Sequence, residues 1–571
     1  MADGGVLKSS PDPEGKHFTV ETPAYPDQDV GIVHKAAPLA RNLRGRHMQM
    51  IAIGGAIGAG LFVGTGGALS TGGPASLIIC YVIIGVMLLC TVQCLAEMAV
   101  IYPVNGAFFT YIVRFVDPSW GFAMGWDYAI TWLTVLPFEL TAASLTIRFW
   151  RTDINIGVWI AVFLSVLIII QVFGVRGYGE VEFILSSIKI CACLGFIILG
   201  IIINCGGTGP QGYIGAKYWY DPGAFANGFP GFCSVFVVAA FAYAGTELVG
   251  LAAAESEEPH KTIPSATRQV FWRIAIFYVL TLLMVGLLVP YTDPRLLHAS
   301  NSNTKDSPFV IAILDAGIPA LPSIFNVVIT LSVISVANSC TFGSTRTMQA
   351  LAERGMAPRF CAYVDHRGRP VYCVIIQLLF GLLAFIGESA QEGTVFTWLL
   401  SLSGLSYFFV WGSICLAHIR FRKAWVLQGH SVSELPYKTP LGVVGSYIGL
   451  GLNILCLIAT FYVSVWVCSA FLPLLRLSTP RRRVCSNSCP RQPAGSSPDA
   501  SYFFEQYLAA PLILALYIFW KLFTKQWRMW VPLAEMDITS GLRTELLTGN
   551  EDLETPWTWK NFPLKLVRLL I

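Results

Sequence analysis

Long apolar stretches recur along almost the whole chain and are separated by short polar connections. A membrane-spanning helix needs about 20 mainly apolar residues. Stretches of that length predict twelve transmembrane helices, and therefore an all-α polytopic membrane protein. We expect the spans at about 49–71, 76–101, 120–147, 155–174, 181–204, 231–253, 271–290, 322–346, 371–387, 394–417, 442–468 and 502–523.

The first span contains far more glycine than a membrane anchor needs. Glycine weakens a helix by about 1 kcal/mol relative to alanine. Irregular backbone inside a bilayer is tolerated only where it lines a cavity or is buried in protein. The stretch from Ile51 to Gly73 therefore predicts a broken helix that offers free amides to a ligand. Close helix packing through G-x-x-x-G pairs is the alternative, with glycines at positions 54, 55, 58, 60, 64, 66, 67, 72 and 73.

A second interruption lies in the sixth span. Ala244, Gly245 and Thr246 interrupt an apolar stretch that runs from Cys233 to Glu255. The first and sixth spans are five apart, so they hold equivalent positions in two five-span halves. Matching interruptions in the two halves of a transporter mark its substrate site. The spacing therefore favours binding over packing as the role of the glycine-rich span.

Composition supports a membrane protein, with the lipid bilayer as an expected partner. Of 571 residues, 54% are hydrophobic and 13% are charged, and the mean hydropathy is +0.61. The net charge of +4 is small and spread out, which argues against nucleic acid as a partner. Most of the 15 cysteines lie singly in apolar spans, so we interpret them as small apolar residues. Residues 1–21 have no apolar core, so no cleaved signal peptide is expected.

Lysine and arginine are concentrated in the even-numbered loops, which places both termini in the cytoplasm. We expect a disordered cytoplasmic tail at 1–45, a twelve-span transporter domain at 46–523, and a cytoplasmic C-terminal tail at 524–571. One outer loop, between the last two spans, breaks the charge rule. This loop contains five arginines, and no acidic residue lies between the first and the last of them. The arginines are at positions 476, 481, 482, 483 and 491.

Charge inside a span is expensive and marks functional sites by default, and we single out five ionisable side chains in the predicted spans. Glu97 and Asp127 lie near the inner ends of their spans, so snorkelling to the interface explains both. Glu139, Lys189 and Glu247 are too deep for that, and each needs a partner or water. A structural ion pair is the alternative for each of the three. A lysine near the first break could replace a coupling cation, and Glu247 could carry a proton.

Several motifs together resemble the fungal amino-acid permeases of the amino acid–polyamine–organocation superfamily. The resemblance covers residues from about 48 to 466, resumes near 495, and is greatest to the general amino-acid permease subgroup. The motifs are IGAGLFVG at 57–64, STGGP at 70–74, LAE at 95–97, YP at 102–103, LPFELTAAS at 136–144, AAFAYAGTELVGLAAAE at 239–255 and ANSCTFGSTRTMQALAERGMAP at 337–358.

The resemblance implies two inverted five-helix repeats plus two further helices, with spans 1 and 6 broken. It also implies alternating access, proton coupling and import of amino acids across the plasma membrane. The substrate carboxylate would then meet the amides of Ala59 and Gly60. Its amino group would meet the carbonyls of Ala56, Phe241 and Ala244, and the Phe241 ring would close over the site.

Further roles follow from the resemblance by position. Lys189 falls where the family has a span-five lysine in place of the sodium of sodium-coupled relatives. Selectivity for the substrate side chain would come from spans three, six, eight and ten, including Glu139, Asn338 and Ser403. Many relatives have serine or threonine where Ala59 stands, so a hydroxyl contact to the carboxylate would be missing here.

The segment 467–494 has no counterpart in the family and lies on the outer side despite its arginines. We expect an anomalous insertion, either a retained intron or a lineage-specific loop, that leaves the substrate site intact. A receptor-like permease with little flux, and a product impaired by this insertion, are the alternative functions. A channel would need a ring of like residues, which is not seen. No nucleophile–base pair or metal-ligand cluster suggests an enzyme or a cofactor. The resemblance implies amino acids and protons as the ligands.

Overall fold

The computed structural model describes residues 43, 45–150, 153–208, 212–256, 258–297, 307–388, 392–474 and 500–542. Nearly all of the predicted N-terminal tail, positions 475–494 of the predicted insertion, and 543–571 of the C-terminal tail lie outside these residues. Within them the chain forms helices and no strand. The all-α prediction is confirmed.

Helices α1 to α6 build the first five spans. The chain kinks inside α2 at Gly73, where φ is +82° and a β-carbon would lie 2.7 Å from the Ala226 nitrogen. That backbone conformation and that close approach both require glycine. A π-helical turn, Gly60–Gly64, leads into α2. The helices are Gly45–Gly54 (α1), Thr65–Ile101 (α2), Ala107–Phe115 (α3), Pro118–Ile147 (α4), Ile156–Val172 (α5) and Gly174–Asn204 (α6).

Helices α7 to α18 build the remaining spans and their connections. A π-helical segment, Ile274–Leu280, joins α9 to α10, and a 3₁₀ segment, Leu382–Glu388, extends α14. The helices are Gly228–Tyr243 (α7), Leu248–Ala252 (α8), Pro259–Arg273 (α9), Thr281–Leu288 (α10), Pro294–Leu297 (α11), Pro308–Asp315 (α12), Leu321–Glu353 (α13), Val371–Gly381 (α14), Glu392–Leu427 (α15), Gly442–Leu474 (α16), Ala500–Tyr507 (α17) and Ala509–Thr524 (α18).

The helices account for the twelve predicted spans. Among the described residues, seven helical segments are long and apolar enough to cross a membrane, and four further apolar helices are shorter. The longest of the seven, Gly60–Ile101, contains the kink at Gly73 and so supplies the end of span 1 and all of span 2. Helix α16 also includes the first eight residues of the 467–494 segment.

The sixth span lies at the centre of the helix bundle. Of the 18 most apolar consecutive residues in this span, 94% are buried. The corresponding share is 33% in the fifth span and 33% in the eleventh. Helix α7 packs against α2 and the π-helical turn of span 1, and α4 packs against α13. The two interrupted spans therefore lie in the protein interior, where freed backbone groups can be satisfied.

The first part of the C-terminal tail packs against α3 and the residues on either side of it. The Val531 amide donates to the Val116 carbonyl at 3.0 Å, and the Tyr102 hydroxyl donates to the Ile538 carbonyl at 2.6 Å. Arg114 donates to the Ser540 carbonyl at 2.8 Å. Residues 525–542 therefore form an ordered cover on this face of the bundle.

The prediction that Glu97 and Asp127 snorkel to the interface is wrong, because both side chains are fully buried. Glu97 accepts hydrogen bonds from His418 at 3.0 Å and from Arg422 at 2.8 Å. Asp127 accepts one from Ser406 at 2.9 Å. Glu97 thus belongs to a buried ion pair between spans 2 and 10, which position along the helix alone did not reveal.

Candidate functional site

The two breaks meet in the centre of the bundle. Helix α1 ends at Gly54 and helical structure resumes at Gly60, while α7 ends at Tyr243 and α8 begins at Leu248. Gly245 has φ +92°, and a β-carbon there would lie 2.4 Å from the Gly55 carbonyl oxygen. The two interruptions therefore touch each other, and glycine permits that contact.

A small cavity of about 10 Å³ lies beside the breaks. A cavity of this size has room for about one water molecule, so the helices around it are closely packed in this structure. Helices α4, α13 and α15 supply the side chains that face the broken spans. The lining residues are Gly55, Ala56, Gly58, Gly60, Trp132, Val135, Glu139, Phe241, Ala244, Val336 and Tyr407.

The start of the π-helical turn in span 1 is a candidate anion site. The first amides of a helix have no partner within the helix, and no side chain caps this one at Ala59. Such amides, with the positive end of the helix dipole, bind carboxylate or phosphate. A β-carbon at Gly60 would lie 2.7 Å from the Ala242 Cα, so α7 approaches the backbone closely here.

The opposite polarity occurs where the first halves of the two spans end. The carbonyls of a helix's last turn lack intrahelical partners and carry the negative end of the dipole. Phe241 lies in the last turn of α7, where its carbonyl accepts a hydrogen bond from the Ala244 amide at 3.2 Å, and Ala244 follows in a non-helical conformation. Ala56 lies just beyond α1 and lines the same cavity. The start of one half-helix, at Gly60, and the ends of two others, at Ala56 and Ala244, therefore meet at the cavity.

Glu139 is the ionisable residue of the cavity wall. Its side chain is 1% exposed, and neither carboxylate oxygen has a hydrogen bond of ordinary geometry within the described ranges. Lys189 and the Ala59 amide are its polar neighbours. A buried carboxylate without donors is unfavourable. Glu139 is therefore suited to take up a proton or to bind a cationic group brought in by a ligand.

Lys189 lies at the end of the first half of span 1. Its ammonium donates to the Gly54 carbonyl at 2.6 Å and to the Ser335 hydroxyl at 2.8 Å. This places a positive charge at the C-terminal end of α1, where a helix favours one. Sequence reasoning expected a lysine near the first break, and the structure places it there.

Glu247 fastens the second break to two neighbouring spans. Its carboxylate accepts hydrogen bonds from the Tyr128 hydroxyl at 3.0 Å, the Gly245 amide at 3.2 Å and the Trp411 indole at 3.3 Å. Tyr128 belongs to α4 and Trp411 to α15. These contacts link the interrupted backbone to two of the three helices whose side chains line the cavity.

Two predicted selectivity residues do not line the cavity. Asn338 accepts a hydrogen bond from Gln171 at 3.2 Å, and Ser403 donates to the Leu399 carbonyl of its own helix at 2.8 Å. Their proposed role stays a prediction. Sequence reasoning missed Trp132, Val135, Val336 and Tyr407, since an apolar residue in an apolar span gives no sign of facing a cavity.

Two interrupted helices that meet in the centre of the bundle are the arrangement of a secondary transporter. Comparison with known proteins agrees with that class. A model of the amino acid permease family matches residues 47–533, so the chain belongs to this family. Members of the family are transporters and not enzymes.

The similar proteins include fungal permeases. The general amino-acid permease GAP1 of Saccharomyces cerevisiae is 50% identical over 522 residues, covering 90% of this chain and 82% of that one. The cationic amino acid transporter 1 of Schizosaccharomyces pombe is 50% identical over 559 residues, covering 95% and 89%. Among solved structures, the nucleobase-cation-symport-1 family transporter Mhp1 in a closed conformation is 13% identical, with a TM-score of 0.44 over 76% of this chain and 96% of that one. That likeness is too weak to carry an argument.

Proposed function

We propose that this protein imports amino acids across the plasma membrane by proton-coupled alternating access. The observation that supports the proposal is that helix ends of opposite polarity meet at the cavity. The amides of Ala59 and Gly60 suit a carboxylate, and the carbonyls of Ala56, Phe241 and Ala244 suit an ammonium group. A free α-amino acid carries both groups on neighbouring atoms. Two permeases that share half of its sequence are named for amino acids.

The substrate side chain lies among the remaining wall residues. Trp132, Val135, Val336 and Tyr407 offer apolar and aromatic surface, and Glu139 adds one carboxylate. The Phe241 ring packs edge-on against Phe138, with ring centroids 5.1 Å apart, and forms part of the cavity wall. Glu139 is the foremost selectivity residue in this proposal, because Asn338 and Ser403 lie outside the wall.

Coupling is assigned to Lys189 and Glu247. Both are buried, and each is bonded to the backbone of one break, at Gly54 and Gly245. A change in the protonation of either group alters the attachment of a broken span, which is how proton binding is linked to opening. Both described ends of the chain contact even-numbered loops, since Leu43 bonds Glu255 and Val531 bonds Val116. With the positive-inside rule this supports cytoplasmic termini.

Uptake in a permease-deficient yeast tests this function. The protein should accumulate labelled amino acids, uptake should rise as the external medium is acidified, and a protonophore should abolish accumulation. Competition by each standard amino acid then defines the specificity. Protein that reaches the plasma membrane but transports none of them would contradict the proposal.

A further inference from the structure

A chain of buried polar groups extends from Lys189 to a second carboxylate on the same helix. The Lys189 ammonium donates to the Ser335 hydroxyl at 2.8 Å, and that hydroxyl donates to Glu182 Oε1 at 2.6 Å. Lys189 and Glu182 are seven residues apart on α6, which places them on one face two turns apart. One hydroxyl from α13 therefore joins a cation and a carboxylate of α6.

None of the three groups is exposed to water. Lys189 is 1% exposed, and Ser335 and Glu182 are fully buried. Within the described ranges the second oxygen, Glu182 Oε2, has no hydrogen bond of ordinary geometry, although Asn338 lies beside it. A buried carboxylate with one oxygen unsatisfied is poorly stabilised as an anion. Glu182 is thus suited to exist in both protonation states.

The chain of groups holds the last turn of α1. Lys189 bonds the Gly54 carbonyl at 2.6 Å, and Ser186, also on α6, bonds the Met50 carbonyl at 3.1 Å. A β-carbon at Gly54 would lie 1.9 Å from the Ser186 hydroxyl and 2.1 Å from Glu182 Oε1. The broken span therefore rests directly on these polar groups, and their charge state affects how firmly it is held.

We infer that Glu182 is the proton partner of Lys189, with Ser335 as the bridge between them; the inference rests on the proposed proton-coupled function. In the transfer, a proton leaves the Lys189 ammonium for the Ser335 oxygen as Ser335 gives its own proton to Glu182 Oε1. The products are a neutral amine, an unchanged hydroxyl and a neutral acid. Glu182 lies nearer the predicted cytoplasmic end of α6 and releases the proton to that side, and the amine takes a new proton from the outer side.

Other titratable groups surround the pair and are distinguishable from it. Glu139 faces the substrate cavity, so its loss should change substrate affinity as well as the response to pH. The loss of Glu182, which does not line the cavity, should change the response to pH alone. Tyr178 is a neighbour of Glu182, and Cys193 is a neighbour of Lys189. One step further away, Arg346 and Cys340 lie beside Tyr178, and His47 lies beside Gly179.

The test compares Glu182→Gln with Glu180→Gln in permease-deficient yeast. Glu180 is the matched control because it is two residues away on the same helix and so lies on nearly the opposite face. Its side chain is 42% exposed and bonded to Arg46. Two rates are measured for each variant: net uptake as a function of external pH, and exchange of a preloaded labelled amino acid at equal pH on both sides. Two variants of Ser335 are measured in the same way. Ser335→Ala removes the bridging hydroxyl, and Ser335→Thr keeps it.

We expect Glu182→Gln to flatten the rise of net uptake at acid pH while exchange, which needs no net proton movement, persists. Ser335→Ala should act in the same direction, Ser335→Thr should retain pH dependence, and Glu180→Gln should match the wild type. A wild-type pH profile in Glu182→Gln overturns the inference. So does an equal loss of uptake and exchange at every pH, because that indicates a structural role.

Failure of Glu182→Gln to reach the membrane transfers the decision to Ser335. The relay is supported if net uptake is independent of pH in Ser335→Ala but depends on pH in Ser335→Thr. It is overturned if net uptake depends on pH in both variants. The wild type is measured first. Absence of uptake there refutes the proposed transport function, and uptake without pH dependence refutes proton coupling, so neither failure is confused with a failure of the Glu182 assignment alone.

Discussion

Replacing Gly60 by alanine tests whether the backbone of span 1 forms the substrate site. The new β-carbon would lie 2.7 Å from the Ala242 Cα and 2.9 Å from the Phe241 Cδ1. Carbon atoms normally approach to about 3.5–4.0 Å. The π-helical turn and α7 must therefore separate by roughly 1 Å, and the amides and carbonyls of the cavity lose their spacing.

The size of the effect follows from the cost of overpacking. Forcing one methyl group into a filled interior costs about 1–3 kcal/mol. If that strain falls on the substrate-bound state, affinity drops roughly 5- to 150-fold, since about 1.4 kcal/mol corresponds to tenfold. We expect Gly60→Ala to raise the apparent KM for uptake by that factor, or to abolish measurable transport, while the protein still reaches the plasma membrane.

Two other glycines provide matched controls. A β-carbon at Gly67 has no atom within 4 Å, and one at Gly64 would meet the Val238 side chain at 3.2 Å and the Ala59 carbonyl oxygen at 3.8 Å. Gly67→Ala should transport normally, and Gly64→Ala should have an intermediate effect. Uptake and surface fluorescence are measured on the same cells. Normal affinity in Gly60→Ala, at normal surface abundance, would refute the assignment of the site to this backbone.

Three further predictions concern charge and the unmatched segment. Lys189→Met should remove the dependence of uptake on external acidity, because the Gly54 carbonyl loses its cationic donor; a wild-type pH profile would exclude Lys189 from coupling. Glu97→Gln should lower the free energy of unfolding by about 3–5 kcal/mol, because it breaks a buried ion pair with Arg422; unchanged thermal stability of the purified protein relative to Glu180→Gln would contradict this. Deletion of 475–494, which leaves α16 whole, should keep substrate affinity and improve surface delivery; lost binding in protein that still reaches the surface would show that the segment is a working part.

The helical spans and both breaks were predictable because their signals are local. Apolar length defines a span. Clustered glycine marks the first interruption, and Ala-Gly-Thr at the matching place five spans later marks the second. Lys189 was predictable for a similar reason, since a deep charge in an apolar helix stands out. The hydrogen-bond partner of Lys189 was not predictable from the sequence, because Ser335 lies 146 residues further along the chain.

The remaining features depend on how distant helices face one another. Glu97 was misjudged because its partner Arg422 is 325 residues away and position near a helix end does not reveal it. Glu182 could have been found, since it is two turns from Lys189 on the same face. The wall residues Trp132 and Tyr407 are apolar positions in apolar spans, and only the assembled bundle distinguishes them from lipid-facing ones.

A structure of the protein with a bound amino acid tests the central claim most directly. The account predicts the substrate carboxylate within hydrogen-bonding distance of the Ala59 and Gly60 amides, and its ammonium group within the same reach of the Ala56, Phe241 and Ala244 carbonyls. An amino acid found away from both breaks, or bound with its carboxylate toward those carbonyls, would contradict it.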